Sequence, residues 1–414
     1  MTGINFMGLF LVAAIAFTVP LLLSLAPNLR LPSVVLELIA GIVIGPAGFG
    51  WVTFDEPLRV LSLLGLAFLL FLAGIEIEFD RLRGRLLLLT AASFAVSFGL
   101  AALAGLGLAA IGLARTPLLL AIILAATALG VVVPTLKDAR QLQTQLGQLI
   151  IAAASIADFG AVILLSLFFS RETTSTMTRL VLLGGFVFVA VALLFAFVRA
   201  ERSPRLARAL VRLQDTTAQI RVRGAFLLLI AFVALAERFG LEVILGAFMA
   251  GAILSLVDRD RMMTHSAFRS KLEAVGFGVF IPVFFVTSGI QFDLHAVIGS
   301  ASGLARVPVF LAAILVVRGL PATIYRPVLR PIEIGAAALL QATTLPFIVA
   351  ASMIGIELGV LDTATGSALI TAGLLSVLLF PLLALTLLRR VTEHGVAETV
   401  HAITNTEQEA LQTR

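Results

Sequence analysis

The sequence predicts an all-α membrane protein with thirteen transmembrane helices, arranged as inverted-topology repeats with two broken helices. Three observations carry this prediction: the composition, the spacing of the apolar runs, and the return of short motifs in the second half. Of the 414 residues, 60% are hydrophobic and 13% charged, against about 45–50% and about 25% in soluble domains. The net charge of +5 does not point to nucleic acid, because arginine-rich loops between apolar runs follow the positive-inside rule. The chain has no cysteine, which excludes disulfides and thiolate metal sites. His265, His295, His394 and His401 fall in expected loops or in the tail. No histidine metal centre and no cofactor is expected.

A helix needs about 20 apolar residues to cross the hydrocarbon core. The first such run, 4–26, starts without a basic flank and reads as a span, not as a cleaved leader. Spans 32–51, 57–77, 86–112, 117–136, 146–170 and 178–198 follow. The run 223–257 is long enough for two passages and is divided at "ERFGLE" into 223–238 and 240–257. Spans 274–290, 303–325, 331–355 and 364–388 complete the set. Loops after odd-numbered spans hold most of the basic residues: Arg30, then Arg81, Arg83 and Arg85, then Lys137 and Arg140, and on to Arg326, Arg330, Arg389 and Arg390. The opposite loops hold scattered ones such as Arg59, Arg115 and Arg306. The odd loops are therefore expected in the cytoplasm, with the N-terminus outside and the C-terminus inside. Counting 223–257 as one passage would break that bias.

The transmembrane domain is expected to cover 1–390, with repeat one at about 32–170 and repeat two at about 240–388. A basic cytoplasmic connector, 199–223, lies between them, and 391–414 reads as a polar tail too short for a folded regulatory domain. The repeat rests on three matches. "ELIAGIVIGP" (37–46) resembles "EVILGAFMAG" (242–251), "AGIEIEFD" (73–80) resembles "TSGIQFD" (287–293), and "ATALG" (126–130) resembles "ATTLP" (342–346). Each pair lies an odd number of spans apart, so the second copy runs the other way across the bilayer. Inverted repeats with interrupted helices are characteristic of secondary transporters. Gly130 and Pro134 interrupt one such helix after Thr127, and Pro346 interrupts its counterpart after Thr343 and Thr344. A break exposes carbonyls for a cation and amides with partial positive charge.

Asp158 sits in "LIIAAASIADFGAVILLSLFF" (149–169), roughly 14 Å deep at about 1.5 Å per residue. An acid at that depth is costly and is a functional candidate by default. A desolvated carboxylate holds a proton or a cation and not easily both, which is sufficient for exchange on one site. Ser155, one turn earlier, and Thr127, at the break, are candidate further ligands of a monovalent cation at Asp158. Arg318, as isolated in its own span, is the candidate charge-compensating residue, because arginine keeps its proton. Other acids are less central: Glu37, Glu76, Glu78 and Glu242, with Glu76 and Glu78 expected in cytoplasmic water.

The stretches "PSVVLELIAGIVIGPAGFGWV", "LAFLLFLAGIEIEFDRLR", "AATALGVVVPTLKDAR", "IADFGAVILLSLFF", "GLEVILGAFMAGAIL" and "IPVFFVTSGIQFDL" together resemble the second branch of the monovalent cation:proton antiporters. That branch includes bacterial sodium/proton exchangers and potassium-efflux antiporters. The resemblance implies that the two broken helices, 117–136 and 331–355, cross one another, with an ion-binding aspartate at Asp158, a basic partner at Arg318, and a six-helix core sliding against a dimerisation domain. It further implies a homodimer in the bacterial inner membrane, exchanging sodium, potassium or lithium for protons. There are departures. Ala157 stands where the family usually has Asp, Asn or Gln, and Thr344 stands where potassium-efflux relatives carry a glutamate. The nucleotide-binding C-terminal domain of many relatives has no counterpart here. One acid with an arginine, in place of two acids with a lysine, leads to the expectation of electroneutral exchange.

Other readings are a proton-uncoupled or ligand-regulated cation efflux channel, and an organic-anion symporter, whose site would need more polar residues at the crossing. An enzyme is not expected: no zinc-ligand pattern, Ser–Lys dyad or catalytic aspartate pair is evident.

Overall fold

The computed structural model describes residues 6–25, 32–77, 84–113, 115–169, 176–201, 219–257, 266–299 and 301–412. Most of the expected basic connector, 202–218, and the arginine-bearing segments 78–83 and 258–265 lie outside these residues. The regular elements among the described residues are all helical. In chain order they are α1 (Phe6–Leu25), α2 (Ser33–Ile44), α3 (Glu56–Ile75), α4 (Gly84–Ala110), α5 (Pro117–Ala125), α6 (Leu129–Asp138), α7 (Gln145–Phe168) and α8 (Thr176–Glu201). After the connector come α9 (Ile220–Arg238), α10 (Val243–Val257), α11 (Ser266–Val275), α12 (Ile281–Ile290), α13 (Leu294–Ile298), α14 (Ala301–Gly319), α15 (Pro331–Gln341), α16 (Pro346–Glu357) and α17 (Thr363–Gln412).

Eight described helical stretches are long and apolar enough to cross a membrane. Shorter apolar stretches cover Ser33–Ile44, Pro117–Val133, which is interrupted between α5 and α6, Leu180–Leu193 and Val243–Leu256. Local chemistry starts several of them. Asp55 accepts a bond from the Leu58 N–H at the head of α3, and Thr144 accepts one from Gly147 at the head of α7. Pro117, Pro331 and Pro346 open α5, α15 and α16, where a missing N–H costs nothing. The turn between α9 and α10 falls at "ERFGLE", with Gly240 at φ 67°, a conformation that glycine adopts without a Cβ clash. A π-helical turn at Gly276–Phe280 links α11 to α12. It widens the backbone just ahead of Pro282, which has no N–H to give to a regular ladder.

Two groups of helices emerge. In the first, α2 crosses α12 and α3 crosses α10. A Cβ on Gly289 would lie 2.1 Å from the Leu38 carbonyl oxygen, and one on Gly251 would lie 2.0 Å from that of Phe71. Backbones approach this closely only where side chains are absent. The two crossings pair elements from opposite halves of the chain, in the same way twice. Thr287 of α12 also donates to Ser62 of α3 at 2.8 Å, a buried polar tie between them.

The second group gathers α4, α5, α6, α7, α14, α15, α16 and α17. Its centre is the most enclosed part of the fold. In the 331–357 region 78% of the membrane-length window is buried, and in α7 72%. In α1, at the periphery, the share is 17%.

Candidate ion-binding site

Two helices of the second group unwind at the centre of the fold. Between α15 and α16 the cause is local. Pro346 cannot continue a helix, and Leu345 before it adopts φ −147°. Between α5 and α6 the unwound residues are Ala126, Thr127 and Ala128, which have no intrinsic reason to leave a helix. Gly130 lies in the first turn of α6 and Pro134 lies within it, so neither marks the break that the sequence suggested there. Tertiary bonds hold this segment open instead. The Ala128 N–H donates to the Thr343 carbonyl at 2.9 Å, joining the two breaks directly. The Thr127 hydroxyl donates to the Gln341 carbonyl at 2.9 Å, and the Thr127 N–H donates to Asp158 Oδ1 at 3.3 Å.

The charges fit the half-helix ends. Asp158, buried on α7, sits against the N-terminal end of α6, where peptide dipoles favour an anion. Arg318, buried at the end of α14, sits against the C-terminal end of α15, with its Nε 3.4 Å from the Gln341 carbonyl. The Arg318 guanidinium donates to Thr127 Oγ1 from Nε at 2.9 Å and from Nη2 at 2.6 Å, and to Ser97 Oγ from Nη1 at 3.1 Å. Arginine and aspartate do not touch. Thr127 stands between them, its hydroxyl on the arginine and its N–H on the aspartate.

The remaining sequence candidates divide. Ser155 is buried, but its hydroxyl donates to the Ile151 carbonyl at 2.9 Å on its own helix. Thr343 likewise donates to the Leu339 carbonyl at 3.1 Å, while its own carbonyl joins the breaks. The Thr344 backbone is held by Ser376 of α17, which accepts from its N–H at 3.1 Å and donates to its carbonyl at 2.8 Å. The Thr344 hydroxyl is buried without a partner, as are both amide atoms of Gln341. Ser97, Gln341 and Ser376 belong to the site and were not singled out from the sequence. Their signal was available: each is a polar residue within an apolar run.

A cavity of about 60 Å³ opens on Asp158, enough for a few water molecules. Thr127, Gly130 and Pro346 line one wall, while α3, Phe248 of α10 and Phe277 line the other. The cavity thus lies between the two groups of helices. Its lining includes one further carboxylate, Glu76, which the sequence suggested would simply face cytoplasmic water.

A family model described as sodium/hydrogen exchanger, transmembrane, matches residues 13–389. The Bacillus subtilis protein YjbQ is 33% identical over 392 residues, which is 91% of this chain and 62% of YjbQ, so the chain spans less than two thirds of that relative. The Na(+)/H(+)-K(+) antiporter GerN of Bacillus cereus is 31% identical over 292 residues, covering 69% of this chain and 72% of GerN. Among solved structures, the sodium proton antiporter MjNhaP1 from Methanocaldococcus jannaschii superimposes with a TM-score of 0.69, over 92% of this chain and 98% of its own, at 17% identity. That similarity establishes a shared fold.

Proposed function

The chain belongs to the sodium/hydrogen exchanger family, and on that premise we propose that it exchanges a monovalent cation, sodium or potassium, for protons by alternating access. Asp158 holds the proton or the cation in turn. One observation carries this reading: a buried carboxylate at the contact of two broken helices, bonded to one of them and open to a cavity. Loading by a cation requires the carboxylate to be free of its proton, so the two ligands exclude one another. The cavity lies between two helix groups, so relative movement of the groups would close it on one side and open it on the other. Arg318 keeps its proton and offsets charge through Thr127, without blocking the carboxylate.

The exchange is electroneutral, one cation for one proton. In support, Ala157 brings no second acid beside Asp158. The membrane arrangement proposed with it has thirteen passages, the N-terminus outside and the C-terminus inside, in a homodimer of the bacterial inner membrane. The repeat boundaries, the cytoplasmic connector and the polar tail keep the limits given above.

The test is proton movement in reconstituted vesicles on addition of sodium, potassium or lithium, for the wild type and Asp158→Asn. Cation-triggered proton flux is expected in the wild type and none above background in the variant. Undiminished proton flux in a well-folded variant would remove Asp158 from the mechanism. Cation conduction without proton movement would favour an uncoupled channel.

A further inference from the structure

We propose that Glu76 is a cation way-station at the cytoplasmic mouth of the Asp158 cavity, and that Arg269 competes with the cation for it. The inference rests on the exchange reading above and names a second residue for it. Glu76 caps the C-terminal end of α3, where a carboxylate is electrostatically disfavoured because the last carbonyls already carry negative charge. The same placement concentrates negative potential, which suits a cation.

Its surroundings give it no settled partner. Among the described residues, the closest cation, Arg269 on α11, reaches Glu76 Oε1 at only 3.8 Å, and the same guanidinium lies 2.8 Å from Glu273. The second oxygen, Oε2, is buried without any hydrogen-bond partner. The Glu76 side chain keeps 20% of its surface exposed, so it meets solvent at one end and the cavity at the other. The cavity is otherwise mostly apolar, and Glu76, Thr127 and Asp158 are its polar members. Two carboxylates lining one cavity repel each other, and a cation between them would relieve that repulsion.

The repeat adds an asymmetry. "AGIE" (73–76) at the end of α3 corresponds to "SGIQ" (288–291) at the end of α12. Gln291 caps α12 as Glu76 caps α3, in the same backbone conformation. On the inverted arrangement Gln291 stands at the opposite face, so a carboxylate attends one entrance and a neutral amide the other. The cytoplasmic loops carry most of the chain's basic residues and repel cations. A local carboxylate offsets this where the cation enters.

The experiment compares the wild type with Glu76→Gln, Glu76→Asp and Arg269→Ala in vesicles of defined orientation, with sodium and then potassium presented on either side. For the cation that the wild type exchanges, Glu76→Gln is expected to raise the cytoplasmic-side KM by about tenfold. The outer-side KM should stay within about twofold, and the maximal rate should hold. Glu76→Asp should recover most of the loss, and Arg269→Ala should lower the cytoplasmic KM. Equal effects on both sides, or a fall in maximal rate with KM unchanged, would overturn the proposal and leave a structural role for Glu76. Wild-type vesicles that show no cation-driven proton flux would overturn the exchange reading and this inference with it. Unchanged kinetics in Glu76→Gln beside an active wild type would overturn the inference alone.

Discussion

Thr127 ties the site together through one hydroxyl and one N–H. The hydroxyl accepts from two nitrogens of Arg318 and donates to Gln341, and the N–H goes to Asp158. The hydroxyl is therefore occupied, and a cation at Asp158 would meet the backbone of this segment before the side chain. Removing the guanidinium would take the charged donor from Thr127 and Ser97, whose hydroxyls would still donate to the Gln341 and Val317 carbonyls; a hydrogen bond to a charged group is worth about 1.5–3 kcal/mol. Arg318→Ala is expected to lower the melting temperature of detergent-purified protein by several degrees. Arg318→Lys should recover only part of this, since one ammonium cannot reproduce the planar fork; equal melting temperatures for all three proteins would contradict this account. The sequence singled out Asp158 and Arg318 because a charge in an apolar run stands out. It did not single out Ser97, Gln341 or Ser376, because a hydroxyl or amide in a span is cheap enough to pass as background. Their roles depend on which backbone they face, and that is a property of packing.

The helices show the same division between local and tertiary causes. The break before α16 was legible, because Pro346 forbids a continuous helix. Gly130 and Pro134 point to a break at their own positions, but the break after α5 lies at Ala126–Ala128, since bonds to the Thr343 and Gln341 carbonyls decide it. The glycine crossings permit a direct check. Gly289→Ala places a methyl 2.1 Å from a carbonyl oxygen, whereas a Cβ at Gly278 meets nothing within 4 Å. Thermal scans in detergent should show Gly289→Ala markedly destabilised and Gly278→Ala nearly unchanged, and similar shifts would mean that the crossing is loose. At the head of α17, burial works against a charge on Asp362, yet the Thr365 N–H and hydroxyl and the Arg306 guanidinium hold its carboxyl below the usual carboxylate range. Its contribution is therefore present above the ordinary carboxylate pKa and is lost as pH falls through the lower folded value. Asp362→Asn should narrow the stability difference between neutral and acidic solution, as read from melting temperatures across that interval.

For the whole molecule, the most extensive helix pairings lie within each of the two groups, while one buried apolar core runs across both and the small Asp158 cavity opens at their contact. On the proposed reading the group bearing Asp158 moves against the other, with the carboxylate neutralised in either loaded state. Electroneutral exchange then predicts that initial rates in sealed proteoliposomes do not change when a potential is imposed with an ionophore. A clear acceleration by one sign of potential would mean that more than one proton moves per cation. The general architecture was legible from the periodic apolar runs and the motif repeats. The arrangement of α2 with α12 and of α3 with α10 was not, because glycine at a crossing looks the same in sequence as glycine facing lipid.

Those crossings also bear on how the chain is made. Gly41 emerges from the ribosome roughly 250 residues before Gly289, an interval of about 12–50 seconds at about 5–20 residues per second. For that time the glycine face of α2 waits for its partner; α3 waits less, about 9–35 seconds, because Gly251 follows Gly74 by roughly 180 residues, and neither crossing can be completed from its own half. The first half of the protein is thus a waiting intermediate, exposed to insertases, proteases and other nascent chains. The two crossings become possible in order, first with α10 and then with α12.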